Sequence, residues 1–180
     1  INSGVFCLKK DRFQDVVWIG TDGQGVYLYS NPLYSIKSMV LSNYTEKIER
    51  PVRAIYLDDE RTFWVGTKGN GILKIYDYEF DKNISDCRAE VLTTSNSALS
   101  SNAVYCFAKS HRNLLWIGDE EGLTYYSYRE KRIKSIPIRI GNEDFKYIHD
   151  IYETADSELW LASVGMGVVK ARIAGTPDNR

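Results

Sequence analysis

Two histidines, three cysteines and two short acidic runs are the residues of this 180-residue chain best equipped for chemistry. His149 is the one obvious general base. His111 and His149 do not stand at metal-ligand spacing, and no H-E-x-x-H motif occurs. The runs Asp58-Asp-Glu60 and Asp119-Glu-Glu121 offer carboxylates. Calcium asks for about six to eight oxygens from a spaced loop, a pattern missing here, so both runs are expected to be solvated turns. Cys7, Cys87 and Cys106 form no C-x-x-C pair, and an odd count excludes a fully paired disulfide framework within the chain. Cys7 and Cys106 read as small strand residues, and the thiols do not fix a compartment. The Gly pairs lack a following Gly-Lys-Ser or Gly-Lys-Thr and therefore read as turns, not phosphate cradles. No Ser-His-Asp set can be assembled. The chain is expected to carry no catalytic residue, no metal site and no cofactor.

The four tryptophans, Trp18, Trp64, Trp116 and Trp160, could stack on sugar rings, but all four occur in one repeated motif. The copies read Trp18-Ile-Gly-Thr-Asp-Gly-Gln-Gly25, Trp64-Val-Gly-Thr-Lys-Gly-Asn-Gly71, Trp116-Ile-Gly-Asp-Glu-Glu-Gly122 and Trp160-Leu-Ala-Ser-Val-Gly-Met-Gly167. They recur every 46, 52 and 44 residues, close to the ~40–45-residue period of propeller blades. A second apolar element precedes each tryptophan: Val5-Phe-Cys-Leu8, Val52-Arg-Ala-Ile55, Val104-Tyr-Cys-Phe107 and Ile148-His-Asp-Ile151. Two apolar runs with a polar turn between them predict a hairpin. The Gly-containing turn after the tryptophan predicts a second one. A third strand follows in every copy, and a fourth near Tyr34–Leu41, Arg88–Thr93 and Lys131–Ile138 in three of them. We call these strands A, B, C and D.

The spacing thus predicts an all-β chain: a β-propeller segment of about four blades, each a four-stranded antiparallel sheet, with the last blade incomplete. The expected blades cover residues 4–47, 48–99, 100–143 and 144–174, with a tail at 175–180. Each tryptophan is expected to pack between neighbouring blades. A run of three and three-quarter blades does not close by itself. It is expected to be part of a longer propeller or to pair with a second copy.

In a propeller the D–A and B–C loops share one side, where ligands commonly meet the fold. That side offers Asp22, Gln24, Arg53, Lys68, Asn70, Tyr105, Glu120, Tyr147, His149 and Met166. Arg53, Tyr105 and His149 occupy the repeat position of Phe6. Arg53, Lys68, Asn70, Tyr105, Tyr147 and His149 are the candidate ligand-binding residues. His111 falls in an A–B turn on the opposite side.

The segment Asn96-Ser-Ala-Leu-Ser-Ser-Asn-Ala-Val104, followed by Leu115-Trp-Ile-Gly118 and Gly122-Leu123, resembles the two-component regulator propeller repeat. Trp64-Val-Gly-Thr67, Gly71-Ile72 and Tyr76-Asp77 repeat the second half of that pattern. The fourth copy departs from it at Ala162 and Ser163. The resemblance implies a periplasmic sensor region of a hybrid two-component protein, receiving a glycan fragment. It implies a kinase elsewhere, and no kinase part is in this sequence. Ligand sensing without turnover is the expected function. A non-catalytic interaction or dimerisation scaffold is one alternative. A propeller lyase with His149 as base, loosely similar to streptogramin-type lyases, is the other.

Composition is compatible with all three. The net charge is −1, and Lys and Arg are scattered among acids, so no basic stripe for nucleic acid is present. No apolar run approaches the ~20 residues that cross a bilayer, so a membrane would be reached only through parts beyond this sequence. The expected partners are an oligosaccharide and either other blades or a second copy. The sequons at Asn43 and Asn83 would matter only in a eukaryotic secreted protein.

Overall fold

A computed structural model of the chain describes residues 1–30, 35–39, 50–78, 86–156 and 158–172. The sequons at Asn43 and Asn83, the ends of the fourth strand expected at Tyr34–Leu41, and the tail at 175–180 lie outside these residues. The chain divides into two compact units, Ile1–Leu92 and Thr93–Arg180. Each contains two of the repeats.

In the first unit, β1 (Val5–Lys10), β2 (Val16–Thr21), β3 (Val26–Ser30) and β4 (Ser35–Met39) form sheet one. Sheet two contains β5 (Val52–Leu57), β6 (Phe63–Thr67), β7 (Ile72–Ile75) and β8 (Ala89–Leu92). In the second unit, β9 (Val104–Lys109), β10 (Leu114–Asp119), β11 (Leu123–Ser127) and β12 (Arg132–Ile136) form sheet three. A small hairpin of β13 (Arg139–Ile140) and β14 (Glu143–Asp144) follows, which the repeat pattern does not anticipate. Sheet four has three strands, β15 (Ile148–Glu153), β16 (Glu158–Ser163) and β17 (Gly167–Arg172). Every sheet is an antiparallel meander in chain order. Gly25, Gly71 and Gly167 close the B–C turns at φ of 75°, 74° and 76°. A β-carbon disfavours that left-handed conformation.

Side-chain alternation gives each sheet two faces. Lys9, Trp18 and Leu28 are paired across sheet one, as are Leu8, Ile19 and Tyr27 on its reverse. We call these the indole face and the rear face. In the first unit Trp18, Val26 and Leu28 pack with Ile55, Leu57, Phe63, Val65 and Leu73 of sheet two. The Trp18 ring lies 4.2 Å from Phe63 and 5.1 Å edge-on from Tyr78. In the second unit Trp116 and Leu123 pack with Ile151, Leu159 and Leu161 of sheet four. Trp18, Trp64 and Trp116 are 0–2% exposed. Trp160 departs from the expected inter-blade packing: it is 42% exposed, because no described sheet covers the indole face of sheet four.

Glycine at the second position after the tryptophan marks the closest approach of successive sheets. A β-carbon on Gly20 would lie 2.5 Å from Cys7 Sγ and 3.2 Å from Val52 Cγ1. One on Gly118 would lie 2.5 Å from Cys106 Sγ and 2.6 Å from the Ile148 carbonyl oxygen. Cys7 and Cys106 therefore fill the narrow seam beside these glycines, as small strand residues.

Two acidic turns differ from expectation. Asp58 is 2% exposed, so it is not a solvated carboxylate. Its Oδ1 accepts from the Glu60 and Thr62 amides at 2.9 and 2.8 Å, and its Oδ2 accepts from Trp64 Nε1 at 2.9 Å. Asp11 does the same in sheet one, accepting from Trp18 Nε1 at 2.9 Å. In sheet three Ser110 stands at that place, and Glu153 of sheet four accepts the Trp116 indole proton at 2.9 Å. Asp119 is also fully buried. It replaces Thr21 and Thr67, whose hydroxyls donate to the carbonyls of Gly25 and Gly71 at 2.7 and 2.8 Å. In the shorter third turn Asp119 accepts instead, from the amides of Glu121 and Gly122 and the hydroxyls of Ser100 and Thr124.

Candidate functional site

The residues that enter strand A and those that turn from B to C are stitched together by one backbone bond, repeated in all four sheets. The amides of Asp22, Lys68, Glu120 and Val164 donate to the carbonyls of Gly4, Pro51, Ala103 and Tyr147 at 2.9, 2.9, 3.0 and 3.1 Å. The two loop types therefore share one side of each sheet, as the propeller reading requires. Lys68 and Asn70 stand beside the start of β5, and Glu120 and Glu121 beside the start of β9.

Strand A then breaks register at its second residue in every sheet. The skipped residues are Phe6, Arg53, Tyr105 and His149, between Val5/Cys7, Val52/Ala54, Val104/Cys106 and Ile148/Asp150. A bulge leaves one residue outside the ladder and re-aims its side chain. These four are the shared repeat position singled out in the sequence. In the first unit the Arg53 guanidinium carbon lies 3.8 Å over the Phe6 ring centroid. In the second unit the Tyr105 and His149 rings stack at 4.2 Å with 20° between their planes. Flat groups of neighbouring blades thus lie face on face beside the B–C turns.

Two polar atoms of the first unit lack an intramolecular partner among the described residues. Arg53 Nε and Asn70 Oδ1 are buried without a hydrogen bond among the described residues. Such atoms usually meet water or a ligand. The Asn70 amide is held by Thr67 Oγ1 at 2.9 Å, which fixes the loop under that side chain. Lys68 is exposed next to it.

In the second unit Tyr147 is clamped between two turns. Its amide donates to the Glu120 carbonyl at 3.0 Å, its carbonyl accepts from Val164, and it has a φ of 56°. The residue is 43% exposed. The six candidates thus fall into two groups, Arg53, Lys68 and Asn70 in one unit and Tyr105, Tyr147 and His149 in the other. Gln24, Glu120 and Met166 have local duties: they accept from the Asn2 amide, from Ser101 Oγ and from the Lys146 amide. Asp22 is exposed.

The thiols are poorly placed for nucleophilic work. Burial pushes Cys7 up to about 11 and raises Cys106 as well. The chemistry available beside the B–C turns of each unit is that of non-covalent contact. The residues there present π faces, hydrogen-bond groups and cations on a fixed backbone.

No protein-family model matches the chain. Among curated proteins it is 31% identical over 140 residues to translation initiation factor 6 of Saccharolobus solfataricus, covering 71% of this chain and 57% of that protein. Among solved structures it is similar to PorZ, a bacterial surface component of the type-IX secretion system of Porphyromonas gingivalis. That likeness has a TM-score of 0.67 at 14% identity, over 93% of this chain and 26% of PorZ. It is similar to the extracellular domain of a putative hybrid two-component system from B. thetaiotaomicron, with a TM-score of 0.60 at 18% identity, over 99% of this chain and 30% of that one. It is similar to the Cps50 (Swd1) β-propeller domain of Myceliophteria thermophila, with a TM-score of 0.64 at 13% identity, over 98% of this chain and 56% of that one.

The fold is that of a β-propeller. At these identities the likeness speaks to fold alone. The chain spans about a quarter to a third of the first two solved structures and 57% of the curated relative.

Proposed function

We propose that this propeller segment is a ligand-sensing module of a two-component signalling protein, working in the periplasm and reading an oligosaccharide or a similarly polar ligand without turning it over. The observation that carries the reading is the stack in each unit, Phe6 with Arg53 and Tyr105 with His149, together with Arg53 Nε and Asn70 Oδ1 of the first unit, which are unpaired among the described residues. Sugars pair an apolar ring face with hydroxyls that both donate and accept. Flat π groups suit the first property, and an unpaired donor and an unpaired acceptor in the same unit suit the second. The extracellular two-component domain among the similar structures supports the same direction. The net charge of −1, with Lys and Arg scattered among acids, supplies no basic stripe for nucleic acid.

Binding would act by favouring one of two arrangements of the propeller and the parts of the protein it regulates. Thermal unfolding across a panel of neutral, acidic and sulfated glycans tests the reading. A ligand at about 100 times its Kd stabilises by about 2.7 kcal/mol. The active glycan is expected to raise the melting temperature of the parent and to lose that effect in Arg53→Ala or in His149→Ala, according to the unit that holds it, while mass spectrometry finds the glycan intact. A flat response across the panel, or an effect untouched by both substitutions, would refute it.

A further inference from the structure

Three cations stand at one end of sheet two. Arg50 and Arg53 flank the entry to β5, and Lys68 opens the turn from β6 to β7. The Lys68 amide donates to the Pro51 carbonyl at 2.9 Å, which ties the two segments together. The Arg50 stem lies along the turn: a β-carbon on Gly69 would stand 3.7 Å from its Cγ and 3.9 Å from its Nε. Arg53 is held flat over Phe6, and its Nε is buried with no hydrogen bond among the described residues. Arg50 and Lys68 are exposed. None of the three is paired with a described carboxylate, whereas ten other described cations are.

This excess of charge is peculiar to sheet two among the described residues. In sheets one and three Asp22 and Glu120 hold the place of Lys68, and Ser3 and Asn102 that of Arg50. In sheet four Lys146 holds the place of Arg50 but is paired with Glu121, and Val164 replaces Lys68. Sheet two has one repeat before it and two after it, so these residues do not lie at an end of the sequence.

Like charges repel over the ~8 Å at which physiological salt leaves them unscreened. An oxyanion placed among them removes that repulsion and accepts charge-assisted hydrogen bonds. A guanidinium already seated on an aromatic face is oriented for a planar or tetrahedral oxyanion. Asn70 Oδ1, in the same turn, is an unpaired acceptor and does not suit an anion. It suits a hydroxyl, so a ligand that carries both an anion and hydroxyls fits this turn.

We propose that the entry to β5 and the β6–β7 turn form an oxyanion site, in which Arg50, Arg53 and Lys68 hold a sulfate or carboxylate group of the ligand. The sugar part of this inference rests on the oligosaccharide reading above; together they make the ligand an acidic glycan, sulfated or uronic.

NMR titration of the 15N-labelled 180-residue chain at constant ionic strength, with chloride as the balancing anion, tests it. The probes are oligogalacturonate and its methyl ester, a sulfated dextran oligosaccharide and its unsulfated parent, and sodium sulfate alone. The Arg53 Nε–H and the Lys68 and Gly69 amide signals are expected to shift saturably with at least one charged saccharide, with a Kd about tenfold or more below that of its uncharged form. Which charged saccharide binds separates a carboxylate from a sulfate ester. Arg50→Gln and Lys68→Gln should each weaken binding about three- to tenfold. Lys131→Gln, at an exposed cation between β11 and β12, should not. Far-UV circular dichroism checks that the variants fold. Shifts with sodium sulfate that neither charged saccharide improves on would keep the oxyanion site and overturn the oligosaccharide reading. Uncharged saccharides that bind as tightly as the charged ones would keep that reading and overturn the site. Binding that Arg50→Gln and Lys68→Gln leave unchanged, or no shift with any probe, would overturn the site as well.

Discussion

Replacing Asp11 with alanine isolates what ties each indole to its blade. Asp11 is 4% exposed. Its Oδ1 accepts from the Phe13 and Gln14 amides at 2.8 and 3.1 Å, and its Oδ2 from Trp18 Nε1 at 2.9 Å. Trp18 is fully buried against Phe63 and Tyr78, so water cannot take over the indole proton. An unsatisfied buried donor costs about 1–3 kcal/mol, and the lost turn bonds add about 1 kcal/mol. Asp11→Ala should therefore destabilise by about 2–4 kcal/mol. Trp18→Phe removes the donor along with part of the ring. In that background Asp11→Ala should lose only the turn contribution of about 1 kcal/mol. The double-mutant cycle should show a coupling of about 1–3 kcal/mol. Urea unfolding of the four proteins, followed by far-UV circular dichroism, measures it. If Asp11→Ala costs the same in the Trp18→Phe background as in the parent, the indole bond contributes nothing. The buried acid would then be a turn cap alone.

Two further substitutions probe the third blade. Burial raises the Asp119 acid above its ordinary 3.8, although hydrogen bonds from Ser100, Thr124 and two amides pull the other way. The folded state thus holds this proton more tightly than the unfolded chain does. The stability this contributes is complete below about pH 4 and is lost as pH rises through the raised value. Asp119→Asn keeps the acceptor for the Glu121 and Gly122 amides and removes the buried charge, so its melting temperature relative to the parent should climb from pH 4 to pH 7. A constant difference would show that the carboxylate is not held protonated. Gly118→Ala drives a β-carbon to 2.6 Å from the Ile148 carbonyl oxygen and 2.5 Å from Cys106 Sγ; overpacking of this kind costs about 1–3 kcal/mol. Cys106→Ala should rescue only part of that loss, because the carbonyl remains. At Gly20 the sole approach under 3 Å is the Cys7 thiol, so Cys7→Ala should rescue most of the effect of Gly20→Ala in the same melting experiment.

The strand layout was legible because its determinants are local. A tryptophan beside a branched apolar residue, a glycine two positions on and another closing the turn reproduce β2, β6, β10 and their hairpins within a residue or two. The acidic turns were misread because Asp is ordinarily solvated and the cue is one of spacing. An Asp seven or six residues before the tryptophan returns to its indole in sheets one and two. In the third sheet no local spacing would have helped. Its acceptor is Glu153, 37 residues away on the next blade. A long-range hydrogen bond leaves no periodic trace. The exposure of Trp160 follows likewise from the neighbourhood of sheet four, which the Trp160-Leu-Ala-Ser motif does not encode.

The candidate site was legible as a position and illegible as a geometry. Repeat phase alone aligned Phe6, Arg53, Tyr105 and His149. It could not show the bulge, which exists only as a register shift against strand B. That shift explains why this position varies while the branched apolar residue before it does not. The tryptophan and the following Gly20 or Gly118 are fixed by a seam that tolerates no extra atom. Val52, Val104 and Ile148, one residue before the bulge, are fixed by complete burial. The bulged residue escapes the ladder, so the register of the sheet places no demand on its type. Yet the four types that occur there all end in a flat, delocalised group, and they lie face on face where neighbouring blades meet within each unit. A position outside the ladder but filled four times with stacking groups is the one on which the proposed ligand binding rests. Replacement of any one by a flexible aliphatic chain should therefore leave the fold intact and disturb only what that surface holds.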